Sequence, residues 1–196
     1  MLLDTFALDI NKPDGHDEEL HGLSSSSHPV KSYDCIPDVL ANSKHLGVIR
    51  PGRDIHFYSN GCFNLVQLVL YVLNQIGPAN IFLSSYSISE QSLAVLRRKL
   101  DKGVLLSARF LIDNRVRSIS PKPFSYLATA FAGHYRCCAL HAKVALLWND
   151  HWHISIVGSQ NATNNPKLER GIIHTSREIF DFDYSNLTEA YDRGTT

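Results

Sequence analysis

Two short strings in this sequence hold residues with chemistry to offer: His141-Ala142-Lys143 within "CCALHAKVALLWND", and Gly158-Ser159-Gln160-Asn161 within "IVGSQNAT". The stretch around the first is apolar and strand-like, and on a strand residues i and i+2 share a face. This predicts His141 and Lys143 projecting together, with Ala142 and Val144 facing the other way. An ammonium beside an imidazole is electrostatically unfavourable unless something negative sits between them, and a phosphate would supply that charge. In the second string Gly158 permits an unusual turn, while Ser159 and Asn161 add a hydroxyl and an amide as neutral donors. If the two strands pair, the turn falls near His141. The set then suits a phosphodiester anion, with donors aimed at oxygens where charge builds up. Taken singly, each residue has a plainer reading: a satisfied strand histidine, a lysine snorkelling from a strand edge, an ordinary turn.

The elements that must position these groups are legible from Arg53 onward. "DIHFYS" reads as a strand, and "GCFNLVQLVLYVLNQIG" as a helix that is apolar almost all round and therefore buried against a sheet, ended by Gly77-Pro78. "NIFLSSY" reads as a strand. "SEQSLAVLRRKLDKG" is an amphipathic helix with Ser89 as N-cap and Gly103 as its stop. "VLLSARFLIDN" is a long strand, and "PKPFSYLATAFAG" a short helix with proline at its entrance. "YRCCALHAKVALLWN" and "HWHISIVGS" are two strands joined through Asn149-Asp150 as a hairpin. "ERGIIHTS" is a further strand and "REIFDFDYSNLTEAYDR" a C-terminal helix. The alternation implies an α/β sandwich, a sheet covered by helices. Residues 1–50 differ: "NKPDGHDEELHGLSSSSHPVKS" is polar and aperiodic, so they read as an N-terminal extension, partly irregular, with "YDCIPDVLANS" as a short helix or docking segment. Residues 51–196 form the main domain. No internal repeat is visible.

Bulk properties narrow the classes. Hydrophobic residues make up 44% of the 196, enough for a packed core. The formal net charge is zero, so nucleic-acid binding would need a local patch. Cys35, Cys62, Cys137 and Cys138 have no CxxC spacing, which points away from zinc and toward reduced, mostly buried thiols. Adjacent Cys137 and Cys138 should face opposite ways. The N-terminal residues lack the pattern of a secretion signal, and the longest apolar run falls short of the roughly 20 residues a membrane span needs. A cytoplasmic location is expected.

With those residues in view, the chain resembles the phospholipase D superfamily, whose signature is HxK followed by a strand and GSxN. "DKGVLLSARFLIDN" is similar to the family's strand upstream of the motif, and Glu169 in "KLERGII" to the acidic residue opening the strand after GSxN. One departure stands out: the family places an aspartate seven residues after the histidine, where this chain has Trp148, with Asp150 beyond it. The loss weakens a lipid-directed reading more than a nuclease one.

The resemblance implies a phospholipase D-like α-β-α sandwich with a mixed central sheet and a catalytic set of His141, Lys143, Ser159, Asn161 and Glu169. The superfamily uses two HxK motifs around one phosphate, so a single copy implies a homodimer with a site shared across the two-fold axis. It implies a metal-independent phosphodiesterase working through a phosphohistidine, with no cofactor. The substrate expected is nucleic acid, DNA ahead of RNA, cleaved by a DNA endonuclease without stable membrane association. A phospholipase D-type lipid hydrolase and a non-catalytic nucleic-acid-binding protein retaining the fold are the alternatives. Arg115, Arg117 and Lys122, following the long strand, are candidates to grip a nucleic-acid backbone. Arg97, Arg98, Lys99 and Lys102 read as a solvated helix end, and His151 and His153 as exposed or structural rather than metal ligands.

Overall fold

The computed structural model describes residues 22–26, 34–35 and 46–196. In chain order the elements are β1 (Gly22–Ser26), β2 (Asp34–Cys35), β3 (Ile55–Asn60), α1 (Leu65–Ile76), β4 (Ala79–Ser85), α2 (Glu90–Asp101), β5 (Leu105–Asp113), α3 (Val116–Ile119), α4 (Pro121–Ala130), β6 (Tyr135–Cys138), β7 (Val144–Trp148), β8 (His153–Gly158), β9 (Leu168–His174) and α5 (Arg177–Arg193). β1 and β2 lie within the segment read as an extension, and β1 pairs antiparallel with β3. Of the helix expected around "YDCIPDVLANS", Asp34–Cys35 is strand and the rest lies outside the described residues.

One sheet runs in the order β2-β1-β3-β9-β8-β7-β4-β5-β6. It is mixed: β4, β5 and β6 are parallel, while β4–β7, β7–β8, β8–β9 and β9–β3 are antiparallel. The central strands β4 and β7 are buried on both faces, and alternation decides which residue meets which layer. Ile81, Leu83, Phe110, Ile112, Ala145 and Leu147 join α1, α2 and α4 in the larger core. Phe82, Leu111, Val144 and Leu146 face the other way, onto Phe180, Leu187 and Tyr191 of α5. Cys137 and Cys138 divide between these two cores as their adjacency demands. Burial pushes both thiols above their ordinary pKa.

Local signals explain the boundaries. α1 starts at a full capping box, in which the Asn64 side chain accepts from Gln67 N–H and the Gln67 side chain from Asn64 N–H. The Ser89 cap of α2 forms as expected. The β7–β8 hairpin is organised by Asn149, whose Oδ1 accepts the His151 and Trp152 N–H groups, each at 3.0 Å.

One expectation is corrected. "YRCCALHAKVALLWN" is two strands, not one. β6 ends at Cys138, and residues 139–143 cross the ends of β5 and β4 before β7 begins at Val144. The reason lies outside the string: the Asp113 carboxylate at the end of β5 captures the Leu140 N–H at 2.9 Å, and Ser84 Oγ at the end of β4 accepts the Val144 N–H at 3.1 Å. The chain is pulled across the sheet edge instead of continuing straight.

Gly171 in β9 shows how tightly the edge is set. A Cβ there would lie 2.5 Å from Phe57 Cζ. Gly171→Ala should cost about 1–3 kcal/mol in urea unfolding through overpacking, with Phe57→Leu restoring part of the loss.

Candidate active site

The C-terminal ends of β4, β5 and β8 and the starts of β7 and β9 meet at one edge of the sheet. In sheets of this kind, sites form in the crevice beyond the strand ends. Here the structure brings His141, Lys143, Ser159, Asn161 and Glu169 to that edge, on loops and strand termini.

His141 and Lys143 meet through the crossing segment rather than through a shared strand face. Lys143 is 7% exposed. Its ammonium donates to His141 O at 2.7 Å and lies 3.1 Å from the ring Nδ1 and 3.3 Å from Nε2. Which ring nitrogen accepts from the ammonium depends on the tautomer, and either contact keeps the imidazole against Lys143. His141 itself is exposed. Burial pushes the Lys143 ammonium below its ordinary pKa, and the Glu169 carboxylate pulls the other way.

Glu169, almost fully buried at the second position of β9, ties the other half together. One oxygen accepts from the Ser159 hydroxyl and the other from Asn165 Nδ2 at 2.7 Å. Ser159 Oγ also accepts the Arg170 N–H at 3.0 Å. Asn161 hands its backbone carbonyl to the Leu65 N–H at 3.0 Å, while its Oδ1 lies 3.4 Å from Ser85 Oγ. Between them Gln160 turns inward, 2% exposed, and its Oε1 occupies the space where a Gly158 Cβ would stand, 2.2 Å away. Gly158 is therefore set by packing.

Several residues at this edge were not singled out from sequence. Tyr86, just beyond β4, sits between the cations: its ring centroid lies 5.2 Å from that of His141, 4.6 Å from Arg115 Cζ and 5.8 Å from Lys143 Nζ. Asp113, 3% exposed, accepts from Leu140 N–H, Arg115 N–H (3.0 Å) and Arg115 Nε (2.9 Å). Burial raises its carboxyl pKa, but these donors outweigh it and hold the group below its ordinary value. Ser84 and Ser85 fix the ends of the two motif segments, through the Val144 N–H and Ala162 N–H that directly follow them. A strand pattern reads such serines as filler, because their partners are 60 and 77 residues away.

The three cations proposed to grip a backbone separate. Arg115 lies at the site rim, its side chain 61% exposed and anchored on Asp113 and Tyr86. Arg117 is turned toward Thr195, with Nη2 3.2 Å from its Oγ1, and over Phe124. Lys122 is exposed in the first turn of α4. Trp148 stands at the far end of β7 from His141, packed edge-on against Phe180 and Tyr184 under α5. Position 148, where the resemblance leads one to expect an aspartate, therefore lies in the packing under α5 and away from His141. His153 contacts Arg177 and the Phe180 ring, and among the described residues no cluster of three or more His, Cys, Asp or Glu is placed to hold a metal ion. No helix among them is long and apolar enough to cross a membrane.

No family model matches this chain, and no curated protein does. Among solved structures it is similar to polyphosphate kinase from Porphyromonas gingivalis, with a TM-score of 0.51 at 13% identity over 73% of this chain and 26% of that one. It is also similar to NucT from Helicobacter pylori (TM-score 0.47, 14% identity, 64% of this chain and 86% of that one). A third is TrmBL2, an archaeal chromatin protein (0.43, 10%, 71% and 53%). At 13% identity the likeness to the polyphosphate kinase is one of fold. Together with the layer order and mixed sheet, it defines the class: a phospholipase D-like α-β-α sandwich.

Proposed function

We propose that the chain is a phosphodiesterase of the phospholipase D superfamily, acting on nucleic acid without a metal ion. The observation that carries this reading is the buried Lys143 ammonium held against the His141 imidazole, at the same sheet edge as the Ser159–Glu169 pair. Lys143 and Asn161 would hold the non-bridging oxygens of a phosphodiester, supported by Ser159. Glu169 would balance the positive charge that develops there.

The chemistry needs two imidazoles, and one chain supplies one. In a homodimer, the His141 lone pair attacks phosphorus and the bond to the leaving oxygen breaks. That oxygen takes a proton from the imidazolium of the partner subunit's His141. Water then attacks the phosphohistidine, its proton passing to the same partner imidazole, and the P–N bond breaks. Arg115, tethered at the rim, would grip a neighbouring phosphate.

The test is plasmid nicking in excess EDTA, run beside single-stranded DNA, RNA and phosphatidylcholine. Nicking that survives chelation supports the reading. Choline release would support the lipase instead, and gel shift without cleavage a binding module. Light scattering should give twice the mass of one chain; a monomer that still cleaves would remove the shared-site mechanism.

Lys143 adds a pH signature. Because its folded pKa is depressed, the ammonium neutralises at a pH below the ordinary lysine value of about 10.4. KM for a phosphodiester should rise through that lower value. Over the window between the folded and ordinary values the protein should become more stable as pH rises, since the desolvated charge is removed. KM profiles and urea midpoints against pH check both.

A further inference from the structure

Beside the cradle lies a cleft of about 310 Å³, lined by Gly61, Cys62, Gln67, Asn164, Asn165 and Pro166. Two segments build it: the turn after β3 together with the first turn of α1, and the connection between β8 and β9. Gly61 lets them close, since its φ is +83° and a Cβ there would lie 2.9 Å from Pro166 Cα. Asn64 Nδ2 donates to Asn164 Oδ1 at 2.7 Å and fastens the two segments together.

The lining carries no charged side chain; its polar groups are three carboxamides and a thiol. Much of their capacity is spent. Gln67 Oε1 accepts the Asn64 N–H, Asn164 Oδ1 accepts from Asn64, and Asn165 bridges Lys167 N–H to Glu169. Among the described residues, no partner engages Gln67 Nε2 or Asn164 Nδ2. The cleft therefore offers two N–H₂ donors in uncharged surroundings. Asn165 also places it one hydrogen bond from Glu169, and Glu169 accepts from Ser159.

A phosphate would find no cation in such a cleft, and an acyl chain would want an apolar lining. A planar, neutral heterocycle with acceptor atoms along its edge fits amide donors. We propose that this cleft is a nucleobase subsite adjoining the scissile phosphodiester, with Gln67 and Asn164 donating to the base edge. The proposal rests on the phosphodiesterase reading of the cradle and adds a specificity element to it.

The test compares the p-nitrophenyl ester of thymidine 5′-monophosphate with bis(p-nitrophenyl) phosphate, which lacks a base. The variant is Gln67→Glu. Glutamate keeps the capping-box acceptor at this position, so α1 keeps its start while a donor becomes an acceptor. The ratio of kcat/KM for the nucleotide ester to that for the base-free diester should fall about tenfold; an unchanged ratio overturns the proposal. A second measurement needs no turnover: the rate of Cys62 alkylation by N-ethylmaleimide in the full chain, resolved by mass spectrometry. Thymidine 5′-monophosphate should slow it several-fold relative to equal inorganic phosphate, and equal rates with both overturn the proposal. If neither ester is hydrolysed, the phosphodiesterase reading fails, and the alkylation result still decides whether the cleft takes a base.

Discussion

His141→Ala is expected to lower phosphodiester cleavage by at least about 10³-fold, because in the proposed mechanism it deletes the nucleophile together with the group that protonates the leaving oxygen. The loss should appear in kcat. Lys143 keeps its bond to the residue 141 carbonyl, 2.7 Å away, and so stays in place for its proposed contact with the anion. His141 is exposed, so the variant should unfold within about 0.5 kcal/mol of wild type, which separates lost chemistry from lost fold. The proposed sharing of the site between two chains makes a sharper demand. In a freely exchanging equimolar mixture of wild-type and His141→Ala chains, only about a quarter of the dimers hold two imidazoles, and activity should fall to that level rather than to half. Equal activity of mutant and wild type would sink the assignment; proportional, half-level activity would remove only the dimeric sharing.

The second large effect is expected at Asp113, which touches no substrate in the proposed reaction. Its carboxylate pins Leu140 N–H, and with it the segment delivering His141 and Lys143. Asp113→Ala leaves that N–H without its acceptor and releases Arg115 from the rim. We expect a stability loss of about 1–3 kcal/mol and a fall in kcat/KM of more than tenfold, from misplacement of the imidazole. Asp113→Asn keeps an oxygen for Leu140 and should recover most of the stability but less of the Arg115 tether. Because the folded pKa is depressed, the stabilisation is fully present above the ordinary aspartate value of about 3.9 and is lost as pH falls through the lower folded value. Acid unfolding should be shallower in Asp113→Ala than in wild type. An Asp113→Ala protein with wild-type kcat/KM and stability would dissolve the positioning role.

Much of this molecule was written locally. The all-round apolar helix "LVQLVLYVLNQI" reports burial in its own composition. The Ser89 cap and the Asn149 turn act within a few residues of themselves, and Cys137 and Cys138 part to opposite faces because strands alternate. The nearness of His141 and Lys143 is also local, since two residues on a short crossing segment cannot be far apart. What the tertiary structure alone decided is the setting of that pair. The turn into the crossing segment depends on Asp113 and Ser84, which are 27 and 60 residues from the N–H groups they hold. Tyr86 reaches the imidazole only because β4 lies beside β7. Periodicity says which face of a strand is buried; it does not say which strand lies alongside. Strand order follows from burying both sheet faces at once under α1, α2 and α4 on one side and α5 on the other. Only that non-local packing brings five distant chain segments to a single edge.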